Sequence, residues 1–158
     1  MKYFKMYIVL SLIFLSISCA NNIVIKESIP ELDTMSFDVV EKKLIINQIL
    51  PFTLENLIGE WFSNKVKVAG FEGKLTFSVT KFSQEISQID NGKRVDLSLN
   101  FNAIIEKPSL SQKKYIEGIV TSFGSIDGNF SLAEFDTVIE NTQKDLILRL
   151  SRDLKSKI

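Results

Sequence analysis

The alternation of apolar and polar residues is clearest where Val95, Leu97, Leu99, Phe101, Ala103 and Ile105 share one face and Asp96, Ser98, Asn100 and Asn102 the other. A period of two with one wet side predicts a strand of an antiparallel sheet that meets a core on one face only. Ahead of it, Leu75, Phe77 and Val79 alternate until Phe82 breaks phase, which predicts a bulge. Asp90-Asn91-Gly92 then supplies the positive-φ residues of a tight hairpin. Pro108 to Gln112 reads as a longer loop leading into a third strand, Tyr115 to Ser125, where Gly118 and Gly124 predict bends or close packing against helices. Nearer the start, Met35, Phe37 and Val39 alternate with polar neighbours; Glu41-Lys42-Lys43 interrupts them, and Leu44 to Ile46 either continues or pairs with that strand.

Two stretches switch to helical spacing. In the first, Thr53 is placed to cap the free amides and Phe52 to staple onto Leu57. Leu54, Leu57, Ile58, Trp61 and Val68 follow, with Phe62 beside them, and Gly70 is the natural stop. In the second, Ser131-Leu-Ala-Glu134 is a capping box flanked by Phe130 and Phe135 at staple positions. Phe135, Val138, Ile139, Thr142, Leu146, Leu150 and Leu154 run down its inner face, and Lys144, Arg149, Arg152, Lys155 and Lys157 crowd the later turns, where cations suit the helix dipole. The order predicts an α+β domain over 31–158: an antiparallel sheet of about four strands with two amphipathic helices packed on one face.

The first residues follow a different pattern. Lys2 and Lys5 precede an apolar run from Met6 to Ile17, which gives way to Ser18-Cys19-Ala20-Asn21. This succession of charged, apolar and small residues is that of a secretory signal, and the run is shorter than the roughly 20 residues a membrane span requires. Leu15, Ser16, Ile17 and Ser18 leading into Cys19 resemble the signal of a bacterial lipoprotein, with Ser16 standing where that family usually has leucine. The resemblance implies cleavage after residue 18, acylation of Cys19 and a lipid-anchored tether over 19–30. Ala20 rather than an aspartate after the cysteine points, by the family's sorting rule, to the outer membrane with the domain facing the periplasm. The rival is cleavage after Ala20, at a small-x-small site, which releases a soluble protein. Lipidation also accounts for a lone cysteine in an oxidising compartment, where thiols otherwise pair.

Charge and composition narrow the function by subtraction. Nineteen basic residues balance nineteen acidic ones, so the basic excess of a nucleic-acid protein is missing. There is no histidine, and the single cysteine is committed to the signal, which excludes a zinc site and Ser-His or Cys-His nucleophiles. Ser111-Gln-Lys-Lys114 matches a Ser-x-x-Lys pattern but falls in a hairpin loop rather than opening a buried helix. Neither an enzyme nor a cofactor is expected.

Two groups are candidate interaction surfaces. Trp61, Phe62 and Phe71 gather around the end of the first helix, where they either anchor a partner or cover the sheet. Lys93 and Arg94 at one hairpin tip, with Lys113 and Lys114 near the other, either meet anionic lipid head groups or keep strand ends soluble. The element order and Cys19 together resemble two kinds of envelope lipoprotein: the lipopolysaccharide-assembly lipoprotein that plugs an outer-membrane barrel, and the auxiliary lipoproteins of ABC-type lipid transporters. That resemblance implies a non-enzymatic accessory role, docking on a lipid transport or outer-membrane assembly machine. The alternative is a periplasmic-facing binding module holding a lipid or other apolar ligand between helices and sheet.

Overall fold

In a computed structural model the described residues are 32–158, so the signal, Cys19 and the tether lie outside them. The element order is β1 (Met35–Phe37), β2 (Glu41–Ile46), α1 (Phe52–Lys65), β3 (Val66–Val68), β4 (Lys74–Ile89), β5 (Gly92–Lys107), β6 (Gln112–Asp127) and α2 (Leu132–Lys157). The main sheet has the order β2-β4-β5-β6, and β1 pairs with β3 in a small second sheet. β4, β5 and β6 form an antiparallel meander of 16-residue strands. At about 3.3 Å per residue these strands are roughly 50 Å long.

The expected α+β fold is present, with one change at the edge: β2 runs parallel to β4, and β1 parallel to β3. A helix separates the strands of each parallel pair and returns the chain to the same end before the second strand begins, as parallel pairing requires. Glu41-Lys42-Lys43 lies within β2 rather than interrupting a strand; the break falls earlier, where the Val39 amide donates to the Phe37 carbonyl at 2.9 Å. The bulge read from Phe82 is found between Val79 and Lys81. It returns Phe82 to the inner face, where it pairs with Leu99.

α1 departs from expectation at both ends. Pro51 rather than Thr53 is the N-cap, without a side-chain hydrogen bond, and the Thr53 hydroxyl instead donates to Gln143 of α2 at 2.7 Å. The helix stops at Lys65, not at Gly70, because β-branched Val66 and Val68 are drawn into the ladder with β1. The Lys42 ammonium closes this end, donating to the Phe62 and Ser63 carbonyls of the last helical turn at 2.7 and 3.0 Å and to the Val66 carbonyl just beyond it at 2.5 Å. Burial, and secondarily Lys67, push the Lys42 pKa below its ordinary value. Gly70 has a different function: a Cβ there would lie 2.5 Å from the backbone of Asp38 and Val39.

α2 follows the sequence reading closely. The Ser131 amide donates to Glu134 at 2.7 Å and the Glu134 amide donates to the Ser131 hydroxyl at 3.2 Å, while the Phe130 and Phe135 rings stand 5.9 Å apart. Replacing Ser131 by alanine should cost about 1 kcal/mol in a denaturant melt, with the slope of the transition unchanged. The helix lies on β5 and β6, where Gly118 and Gly124 leave room for it: a Cβ on Gly124 would sit 2.3 Å from the Thr142 hydroxyl. Both helices therefore cover the same face of the sheet, and Leu54, Ile58, Trp61, Leu75, Phe77, Leu97, Leu99, Leu146 and Leu150 are buried between the layers.

Carboxylates on this frame set its acid limit. Asp33 is held below the usual range by the Lys155 ammonium 2.7 Å away, Asp96 by Arg94, and Glu134 by the Ser131 amide and hydroxyl. For Asp145, burial pulls upward but is outweighed by the Ser122 hydroxyl and by Arg149 and Arg152. A depressed native pKa means that the unfolded chain binds more protons, so this stabilisation is full above about pH 4 and is lost as pH falls through the native values. Thermal midpoints measured from pH 7 down to pH 3 should hold and then drop below about pH 4, and Asp145→Asn should shrink the drop.

Candidate interaction surface

The predicted surface residues are distributed unlike their spacing in the chain. Trp61 and Phe62, 2% and 5% exposed, are core: the Trp61 ring meets Phe77 edge-on at 5.2 Å and the Phe62 ring lies 6.0 Å from it. They sit on the buried face of α1 and cover the sheet, so they cannot present themselves to a partner. Phe71, in the connection between β3 and β4, is fully exposed at 100% and belongs to no such cluster.

The four basic candidates do not form one patch. Neighbours in a strand point to opposite faces, so each consecutive pair is split. Lys93 turns inward over the Phe130 and Phe135 rings, at 5.9 and 5.5 Å. Arg94 faces outward, grips Asp96 through Nε at 2.8 Å and Nη2 at 2.7 Å, and lies 4.3 Å over the Phe123 ring. Lys113 pairs with Glu106 at 2.6 Å and covers the Tyr115 ring at 5.1 Å; those two contacts, Glu106 first, raise its pKa. Lys114 donates to the Ile158 carbonyl at 2.9 Å. The pairs sit at opposite ends of the meander, and two of the four cations are already met by carboxylates.

The surface that sequence reasoning missed is the edge and outer face of β6. On the sheet's outer side β5 is polar through Asp96, Ser98, Asn100 and Asn102, whereas outermost β6 carries Tyr115, Ile119 and Phe123, exposed at 61, 66 and 60%. Depressions flank this strand. One of about 360 Å³ lies among Glu85, Arg94, Asp96, Thr121 and Phe123, and one of about 550 Å³ among Thr80, Asn100, Asn102, Glu117 and Ile119. A third, about 450 Å³, runs between the strand edge and Arg149, Arg152 and Ser156 of α2. The signal was present in the sequence as Tyr115-x3-Ile119-x3-Phe123, three apolar residues of one parity. It went unread because only the structure shows that Ile116, Val120 and Ser122, of the other parity, face the core. Among the described residues no group of three or more metal-ligating side chains gathers.

A scan against protein-family models and a search of curated proteins both find no match. Solved structures do match. A minor lipoprotein from Acinetobacter baumannii aligns with a TM-score of 0.51 at 15% sequence identity, covering 75% of this chain and 93% of that one. The rare lipoprotein B from Shewanella oneidensis aligns at a TM-score of 0.48 and 12% identity over 74% of this chain and 95% of that one, too distant to carry weight. The chain is thus similar in fold to a solved bacterial lipoprotein. At this identity the likeness is one of fold.

Proposed function

We propose that this protein is a non-enzymatic lipoprotein of the bacterial envelope. It is anchored through Cys19 to the outer membrane, with its α+β domain facing the periplasm, and docks on a lipid or lipopolysaccharide transport or outer-membrane assembly machine. The observation that carries the reading is a lipoprotein-type signal ending at Cys19 ahead of a domain that covers 93% of the minor lipoprotein from Acinetobacter baumannii. An accessory role also fits chemistry that is spent on structure: the carboxylates with displaced pKa values are those engaged by cations, by a capping hydroxyl or by Ser122. A ligand held between helices and sheet, the other reading, must compete with Trp61, Phe77, Leu146 and Leu150, which already occupy that space.

Metabolic labelling with palmitate tests the anchor. Wild type should take up label and fractionate with outer membranes, and Cys19→Ser should lose both; equal labelling of the two, or none in either, returns the protein to a soluble class. Mild crosslinking followed by affinity capture tests the docking. A transporter or barrel component should be recovered, and recovery of the free chain alone would count against that part.

A further inference from the structure

We propose that two copies of this chain pair edge to edge through β6, antiparallel about a two-fold axis beside Ile119, making one continuous eight-stranded sheet. Among the described residues β6 is the last strand of the sheet and has no second strand beside it. Its pairing with β5 runs unbroken from Gly92↔Asp127 to Lys107↔Gln112. Bulges and prolines, the usual devices that blunt an edge, do not interrupt it.

The edge has a definite set of free groups. The Lys157 ammonium donates to the Glu117 carbonyl at 2.9 Å, so that carbonyl points away from β5. Backbone groups in an antiparallel ladder alternate in direction, so Tyr115, Ile119, Thr121, Phe123 and Ser125 present their amides and carbonyls to the same free side. The Glu117 carbonyl keeps a second lone pair for a partner amide.

The occupant is identified by the symmetry of the strand. Tyr115 and Phe123 lie four residues either side of Ile119, so a two-fold axis there sets Ile119 against Ile119 and Tyr115 against the second copy's Phe123. Such cross-strand aromatic and aliphatic contacts are the unit of sheet stabilisation. Glu117 meets the second copy's Thr121, and Lys113 meets its Ser125 with Asp127 on the diagonal, so the basic start of one strand adjoins the acidic end of the other. Within the two paired strands no like charges stand directly opposite each other. Pairing also sets the exposed apolar rows of the two copies side by side across the seam, so each shields the flank of the other.

An edge contact of this kind falls at the small end of specific interfaces, so the dimer is concentration-dependent. Sedimentation of the full wild-type chain in mild detergent should show monomer passing to dimer as concentration rises. Ile119→Lys, which sets two ammonium groups face to face, should weaken association about tenfold or more while circular dichroism stays unchanged. Register is read by oxidation in a Cys19→Ser background, which contains no other thiol. Ile119→Cys alone should form a disulfide-linked dimer, since directly paired residues lie about 5.5 Å apart between Cα atoms. Tyr115→Cys and Phe123→Cys chains should crosslink when mixed and not singly. A chain that stays monomeric throughout, equal crosslinking through Ser83→Cys on β4, or crosslinks only to a different protein would each overturn the proposal.

Discussion

Phe77→Ala should lower stability by about 3–5 kcal/mol, the range for deleting a fully buried phenylalanine, and bring the thermal midpoint down by roughly 10–20 °C. Phe77 is the point at which the layers meet. Its ring comes from β4, receives Trp61 of α1 edge-on at 5.2 Å and stacks on Phe101 of β5 at 5.5 Å, with no exposed surface. Alanine leaves a void among three other aromatic rings that cannot collapse without moving helix or sheet, so both the transfer and the cavity contributions are lost. Against a domain stability of about 5–15 kcal/mol this is a large fraction. Phe71→Ala is the internal comparison: its ring is fully exposed, and the change should stay within about 0.5 kcal/mol. Urea melts of the two variants separate core aromatics from surface ones directly.

That contrast marks where the sequence was legible. The inward parity of Leu75, Phe77, Val95, Leu97, Leu99 and Phe101 could be read because a sheet wet on one side writes its burial into a period of two. The start of α2 could be read because its capping box is local chemistry within four residues. Trp61, Phe62 and Phe71 could not be sorted, since helical spacing continues through Val68 and what ends α1 is the pairing of Val66 to Val68 with β1, about thirty positions earlier in the chain. The parallel pairing of β2 and the exposed row on β6 are equally non-local. Each depends on which strand lies beside which, and alternation alone does not specify that.

The second large effect concerns Gly92, where position was readable and cause was not. The hairpin between β4 and β5 is present at Asp90-Asn91, but the described residues with positive φ are Gly73, Ser111 and Gly128. Gly92 is a strand residue, buried, and paired with Asp127; a Cβ on it would stand 1.9 Å from the Ile126 carbonyl oxygen and 2.9 Å from the Asp127 Cα. Both are backbone atoms held by the β5–β6 ladder, so no rotamer change relieves the contact. Gly92→Ala should therefore cost about 1–3 kcal/mol by overpacking. Gly128 presents the opposite case, with φ at +80° and open space around a Cβ, so its cost is backbone strain of about 1 kcal/mol. Asparagine separates the two causes because it tolerates the left-handed region but carries a Cβ. Gly128→Asn should recover most of what Gly128→Ala loses, whereas Gly92→Asn should be at least as damaging as Gly92→Ala. Recovery at residue 92 would mean that the turn, and not the approach of β6, is what requires glycine there.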